Sequence, residues 1–209
     1  MKIGVIQASS QCEKNKLLFD AVSKYAKDHT VVNFGCFTKE ETQYSYIDIS
    51  IEIGLLLASG AVDLIVTGCS SGQGMMLACN TMPGVLCGYT PTPQDAYLFA
   101  QINDGNAVSL PLGLNYGWAG EINLNHTLEA LFAEPFGKGY PKQEAERKMR
   151  DTARLKEIRK LSQIEMKELL EKLDSEILNK VLERRNVTDF IIENGSNGEL
   201  VEWVRVKCI

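Results

Sequence analysis

Asp63-Leu-Ile-Val-Thr-Gly-Cys-Ser-Ser-Gly-Gln-Gly-Met-Met-Leu-Ala-Cys-Asn80 is the stretch that decides the architecture of this 209-residue chain. Leu64 to Thr67 is apolar and β-rich, Gly68 to Gly74 is a small-residue turn, and Met75 onward carries a helical pattern. A strand feeding a glycine turn and a helix exposes backbone N–H groups that stabilise negative charge. A thiol beside such amides has its thiolate favoured, so Cys69 is a candidate base or nucleophile. The other reading makes Cys69 a small core residue and the glycines mere packing, since free cysteine is often buried.

The same rhythm repeats outward. Strands are expected at Lys2–Gln7, Thr30–Phe34, Leu64–Thr67, Val85–Gly88 and Ala107–Pro111. Helices are expected at about Glu13–Asp28, Tyr46–Ser59, Met75–Asn80, Thr92–Asn103 and Trp118–Ala133. This βα alternation predicts a doubly wound, five-stranded parallel sheet in a Rossmann-like three-layer αβα arrangement. Ligands in such folds bind beyond the carboxyl ends of the strands, which places Cys69 on the functional edge. The turn matches neither the dinucleotide fingerprint nor a P-loop, and no arginine follows Cys69 as in a cysteine phosphatase loop. Proton transfer therefore suits Cys69 better than attack on phosphorus.

Composition narrows the class. A formal charge of −5 gives no reason to expect nucleic acid or an anionic membrane as partner. Six cysteines at 12, 36, 69, 79, 87 and 208 form no Cys-x-x-Cys pair, and His29 and His126 are the only imidazoles, so neither a metal site nor a disulfide framework is indicated. No apolar run approaches a membrane span and the chain opens on a core-like strand, so a cytoplasmic protein with reduced thiols is expected.

After Phe136 the pattern changes. Residues 142–185 hold 13 basic and 10 acidic side chains, with Leu155, Ile158, Leu161, Ile164, Leu169, Leu173, Ile177 and Val181 at helical spacing. The chain therefore divides into an α/β domain, 1–140, and a C-terminal helical extension, 141–209, suited to packing or subunit contact. Val187–Ile192 and Leu200–Val206, flanking Asn194-Gly-Ser-Asn-Gly198, read as a possible β-hairpin. Trp203 is expected to pack against the helices.

Several pieces together resemble the ribose-5-phosphate isomerase B and galactose-6-phosphate isomerase family over roughly residues 1–150. The family's Cys-Gly-Thr-Gly-x-Gly looks like Cys69-Ser-Ser-Gly-Gln-Gly74, its Ala-Asn-Lys like Ala78-Cys-Asn80, and its Gly-Ile-Arg-Ala like Gly84-Val-Leu-Cys87. Its later His-Asn-x-x-Asn looks like Ile102-Asn-Asp-Gly-Asn106, and its Asp-Tyr-Pro like Ser45-Tyr46-Ile47. The resemblance implies aldose–ketose isomerisation of a phosphorylated sugar through an enediol, with neither metal nor cofactor. Cys69 would move the carbon-bound proton, Ser71 would help move protons between oxygens, and Asn103 would complete the catalytic set. Ser70, Gly72 and Gly74 would donate to the developing oxyanion, with Tyr46 and Asn80 as further substrate contacts.

The departures are as informative. Gln7-Ala8-Ser9 stands where the family reads Cys-Asp-His, and Ile102 stands where it has a ring-opening histidine. An open-chain substrate, replacement by Ser9, Ser10 or Asp104, or a half-site subunit would each account for this. Tetrose 4-phosphates, which cannot close a furanose, are the expected preference. The family's basic clamp corresponds to Gly137-Lys-Gly-Tyr-Pro-Lys142 with Arg147 and Arg150, which share a helical face or are simply solvated. In the family this clamp closes a neighbouring subunit's site, implying a homodimer or a dimer of dimers. Two alternatives stay open: a non-catalytic subunit that binds sugar phosphate beside a catalytic paralogue, and a redox-sensing role for Cys69.

Overall fold

The computed structural model describes residues 1–208. Five strands form one sheet: β1 (Lys2–Ile6), β2 (Thr30–Gly35), β3 (Leu64–Cys69), β4 (Cys87–Tyr89) and β5 (Ala107–Pro111). Their order is β2-β1-β3-β5-β4 and every pairing is parallel. Helices α1 (Asn15–Tyr25), α2 (Tyr46–Ala58), α3 (Gln73–Thr81) and α4 (Pro93–Leu98) make the four crossovers, α4 running on into a π turn at Phe99–Asn103, and α5 (Gly120–Leu131) follows the last strand.

Strand periodicity sorts the core into two layers. Ile3, Val5, Leu64, Val66, Val108 and Leu110 meet α1, α4 and α5 on one face. Ile6, Ile65, Cys69 and Ala107 meet α2 and α3 on the other. Burial is almost continuous along the central strands, as expected for a sheet covered on both sides.

From 142 to 208 the chain forms helices joined by short connections: α6 (Ala145–Ser162), α7 (Met166–Lys172), α8 (Ser175–Leu182), α9 (Arg185–Asn194) and α10 (Gly198–Lys207). The expected hairpin is therefore corrected. Val187, Thr188 and Ile191, then Leu200, Val201 and Val204, recur at i, i+1, i+4 and all face the core. Asn197 caps α10 by accepting from the Leu200 N–H. Trp203 packs against this core, as expected. Helices α7, α8 and α9 lie on α2, which is consequently buried on every side from Asp48 to Leu56. By contrast α6 buries nothing fully, and Leu161 is 88% exposed. Among the described residues, no helix is long and apolar enough to cross a membrane.

Candidate active site

Cys69 ends β3 opposite Pro111 of β5, with its side chain on the α2/α3 face and largely buried. The turn that follows bends at Gly72, where φ is +76°. A Cβ there would lie 2.8 Å from both the Leu110 carbonyl carbon and the Tyr89 ring, so only glycine fits. The Gly72 N–H then donates to Cys69 Sγ at 3.2 Å. Ser109 fixes this arrangement from beneath, its hydroxyl donating to the Gly72 carbonyl at 2.7 Å. The outer side is held equally firmly. Gly113 and Leu114 N–H groups donate to the Ser70 carbonyl, and Gln11 Nε2 donates to Ser70 Oγ at 2.9 Å. Ser71 Oγ accepts from the Gln73 N–H at the start of α3, whose opening N–H groups have no carbonyl one turn behind them in the helix.

Two further loops wall the turn. Ser45 caps α2 in a full capping box with Asp48, and this orients exposed Tyr46 so that a Cβ on Gly74 would touch its ring at 3.7 Å. Ser9 is nearly buried and tied to Tyr44 twice: it accepts from the Tyr44 N–H at 2.7 Å and donates its own N–H to the Tyr44 carbonyl at 3.0 Å. Ser10 is exposed beside it. The structure therefore brings together Cys69, Ser70, Ser71, Gly72, Gly74, Tyr46, Ser9 and Ser10. Ala8 offers only a buried methyl and a backbone N–H bonded to the Gly68 carbonyl.

The other expected residues lie elsewhere. Asn103 ends the π turn before β5, and Cys69 is level with the end of β5, so about 13 Å of strand separates them. Asn80 sits some 12 Å along α3 from the turn. Its amide is consumed there by the Met76 carbonyl and by the carbonyl and N–H of Cys87, so it joins α3 to β4 instead of reaching Cys69. Lys142, Arg147 and Arg150 are exposed near the π turn, where α6 docks through Thr152 on the Ile102 carbonyl and Lys156 on Asp104. Arg147 is paired with Glu144 and Asp151. Among the described residues, no three metal-ligating side chains converge.

Beneath Ser9 and Tyr44 lies a buried ionic cluster that sequence reading missed. Arg184, 4% exposed, donates to Glu52 Oε2 at 2.6 Å and to the Phe34 carbonyl at 2.7 Å, and faces Glu40 and the Cys36 sulfur. Burial pushes the Cys36 thiol up to about 11, against the opposing pull of Arg184. Burial likewise lifts the Glu52 carboxyl to about 7 although Arg184 pulls it down. Cys36 is thus a neutral packing thiol at physiological pH.

A parallel α/β sheet whose central strand ends in a thiol held by a glycine turn places that thiol at the edge where open α/β folds bind small molecules. The profile of one family, Ribose/Galactose Isomerase, matches residues 3–157, and the chain belongs to that family. It is a sugar isomerase by family. No curated protein matches the sequence. Among solved structures, a 4-deoxy-L-threo-5-hexosulose-uronate ketol-isomerase complexed with a tartrate is 36% identical at a TM-score of 0.94, covering 99% of this chain and 98% of that one. A ribose-5-phosphate isomerase of the same family from Vibrio parahaemolyticus is 34% identical at 0.93, with the same coverage. The type B ribose 5-phosphate isomerase of Trypanosoma cruzi shares the fold at 20% identity and 0.61, covering 75% of this chain and 95% of that one.

Proposed function

We propose that this protein interconverts the aldose and ketose forms of an open-chain anionic sugar, with Cys69 as the base. The observation that supports this most is the Gly72 N–H aimed at Cys69 Sγ on the binding edge of the sheet. The thiolate takes the proton from the carbon beside the aldehyde, the electron pair moves into an enediolate, and the thiol returns the proton to the former carbonyl carbon. The hydroxyl proton crosses between the two oxygens through Ser71, and turn amides face the developing negative charge.

Ring chemistry favours the substrate class. Ala8, Ser9 and Ile102 occupy the positions where the family pattern has acid–base groups for ring opening. The uronate named for one relative lacks O4 and carries a carbonyl at C5, so neither usual ring can close on its aldehyde. Tetrose 4-phosphate meets the same criterion. A carboxylated sugar is the better supported of the two, because Arg147 is already engaged by two carboxylates and offers a weak clamp for a phosphate dianion. Asn103 and the start of α6 would reach such a substrate from a second copy of the chain.

The test is kcat/KM for the hexosulose uronate, tetrose 4-phosphate and ribose 5-phosphate, with Cys69→Ser and Ile102→His beside wild type. The uronate should be turned over best and Cys69→Ser should be inactive. A clear preference for ribose 5-phosphate would overturn the open-chain reading.

A further inference from the structure

We infer that Arg184 is a positioning residue through which the C-terminal helices set the geometry of the substrate-binding loops. Covering α2 with α7, α8 and α9 strands Glu52 in the core, fully inaccessible, and a buried carboxylate needs a partner. Arg184, at the junction of α8 and α9, is that partner, yet its contacts extend well past Glu52. The guanidinium donates to the Phe34 carbonyl near the end of β2 and to Glu40, and stacks 4.5 Å from the centre of the Tyr44 ring. Lys180, one turn earlier, pairs at 2.7 Å with Asp48, the residue that closes the capping box of α2. Asn186 donates to the same Phe34 carbonyl.

The C-terminal helices therefore grip the β2–α2 loop at its start, its middle and its end. That loop and the first residue of α2 support both walls of the candidate site: Tyr44 holds Ser9 by two hydrogen bonds, and Tyr46 stands over Gly74. Among the described residues, Arg184 Nε and Glu52 Oε1 find no partner, so the cluster is poorly satisfied as a source of stability. An apolar replacement would fill the space at no greater cost. What an apolar group cannot do is fix three separate segments in one register through directional bonds.

This inference rests on the isomerase reading for its kinetic arm only. Arg184→Lys keeps the charge and loses the fork, and Val204→Ala in α10 serves as a control that loosens the same helices without touching the loop. Arg184→Lys should raise hydrogen–deuterium exchange at least tenfold in segments 9–11 and 44–47, and raise KM tenfold or more while kcat stays within threefold. Val204→Ala, compared at equal distance below its melting temperature, should leave both unchanged. If Arg184→Lys does not fold, Lys180→Met, which removes the partly exposed partner of buried Asp48 and leaves Arg184 in place, is measured for the same loop exchange and KM, with a smaller rise expected. Unchanged loop exchange and KM in the folded variant, or equal changes in Val204→Ala, would overturn the inference. The exchange arm decides the matter even if no tested sugar is isomerised, which would count against the proposed activity alone.

Discussion

Replacing Gly72 by alanine separates two costs that the structure makes additive. The first is conformational: φ is +76°, and a left-handed residue with a Cβ costs ~1–2 kcal/mol. The second is steric. The new methyl would sit 2.8 Å from the Leu110 carbonyl carbon and the Tyr89 ring and 2.9 Å from the Pro111 nitrogen. Two of these atoms are backbone in the central sheet and cannot swing aside, so an overpacking cost of ~1–3 kcal/mol is expected. Gly84 provides the control, because its φ is +74° and no atom of the described residues lies within 4 Å of its would-be Cβ. Gly84→Ala should thus lose only the first amount and Gly72→Ala the sum, about 2–5 kcal/mol. Urea denaturation reads both. Relief of the clash must move the turn, which displaces the Gly72 N–H from Cys69 Sγ, so Gly72→Ala should also lose ~100-fold or more in kcat/KM, as when a preorganised donor is removed. Gly84→Ala should keep nearly full activity. Equal denaturation midpoints for the two variants would refute the steric argument. Retention of more than about a tenth of kcat/KM by Gly72→Ala, under ~1.4 kcal/mol of barrier, would show that the turn does not hold the reacting groups.

Cys69→Ser should retain the fold, since the change is nearly isosteric, and lose turnover by several orders of magnitude; steady-state kinetics showing a residual rate above about a tenth would remove Cys69 from the base role. Glu52 holds its proton to higher pH in the fold, about 7 against an ordinary 4.5. Its contribution therefore favours the folded state in full below about 4.5 and is lost as pH rises through about 7, with an upper bound on the order of 3 kcal/mol. The stability difference between wild type and Glu52→Gln, followed by urea denaturation from acid to mildly alkaline pH, should fall over that window; a flat difference would mean that Glu52 does not titrate there. If a second copy completes each site, mixing inactive Cys69→Ser with inactive Asn103→Ala under subunit exchange should restore about a quarter of wild-type activity, the share of intact sites in a randomly mixed dimer. No recovery would place Asn103 outside the shared site.

The sheet was legible because its signals are local. Ala107–Pro111 reads as a strand and is one, and Leu64 onward differs only in running to Cys69. The C-terminal misreading has an equally local cause. Val187–Ile192 and Leu200–Val206 are rich in β-branched and aromatic residues, and that composition outweighed their i, i+1, i+4 spacing, which the tertiary packing then rewarded. Arg184 was not legible at all. Its partners Phe34, Glu40 and Glu52 are remote in sequence, and nothing in a charge run distinguishes the one arginine that folding will bury.

The candidate site was legible in its pieces and not in its partition, and the partition follows from a rule available beforehand. In a parallel sheet, residues just after a strand lie at one edge and residues just before a strand lie at the other. Cys69 closes β3, whereas Asn103 precedes β5, so one copy of the chain holds them at opposite edges. Ordering by family pattern conceals this, because motifs adjacent in a list of matches need not share an edge. The basic start of α6 falls with Asn103, anchored there by Lys156 on Asp104 and by Arg159 on the Val85 carbonyl. If those groups act on the substrate of Cys69, they must come from another subunit. The exposed apolar side chains of α6, Met149, Leu155, Ile158 and Leu161, then have a physical reason to stand in solvent on one chain, since burying them on association would favour the contact that completes the site.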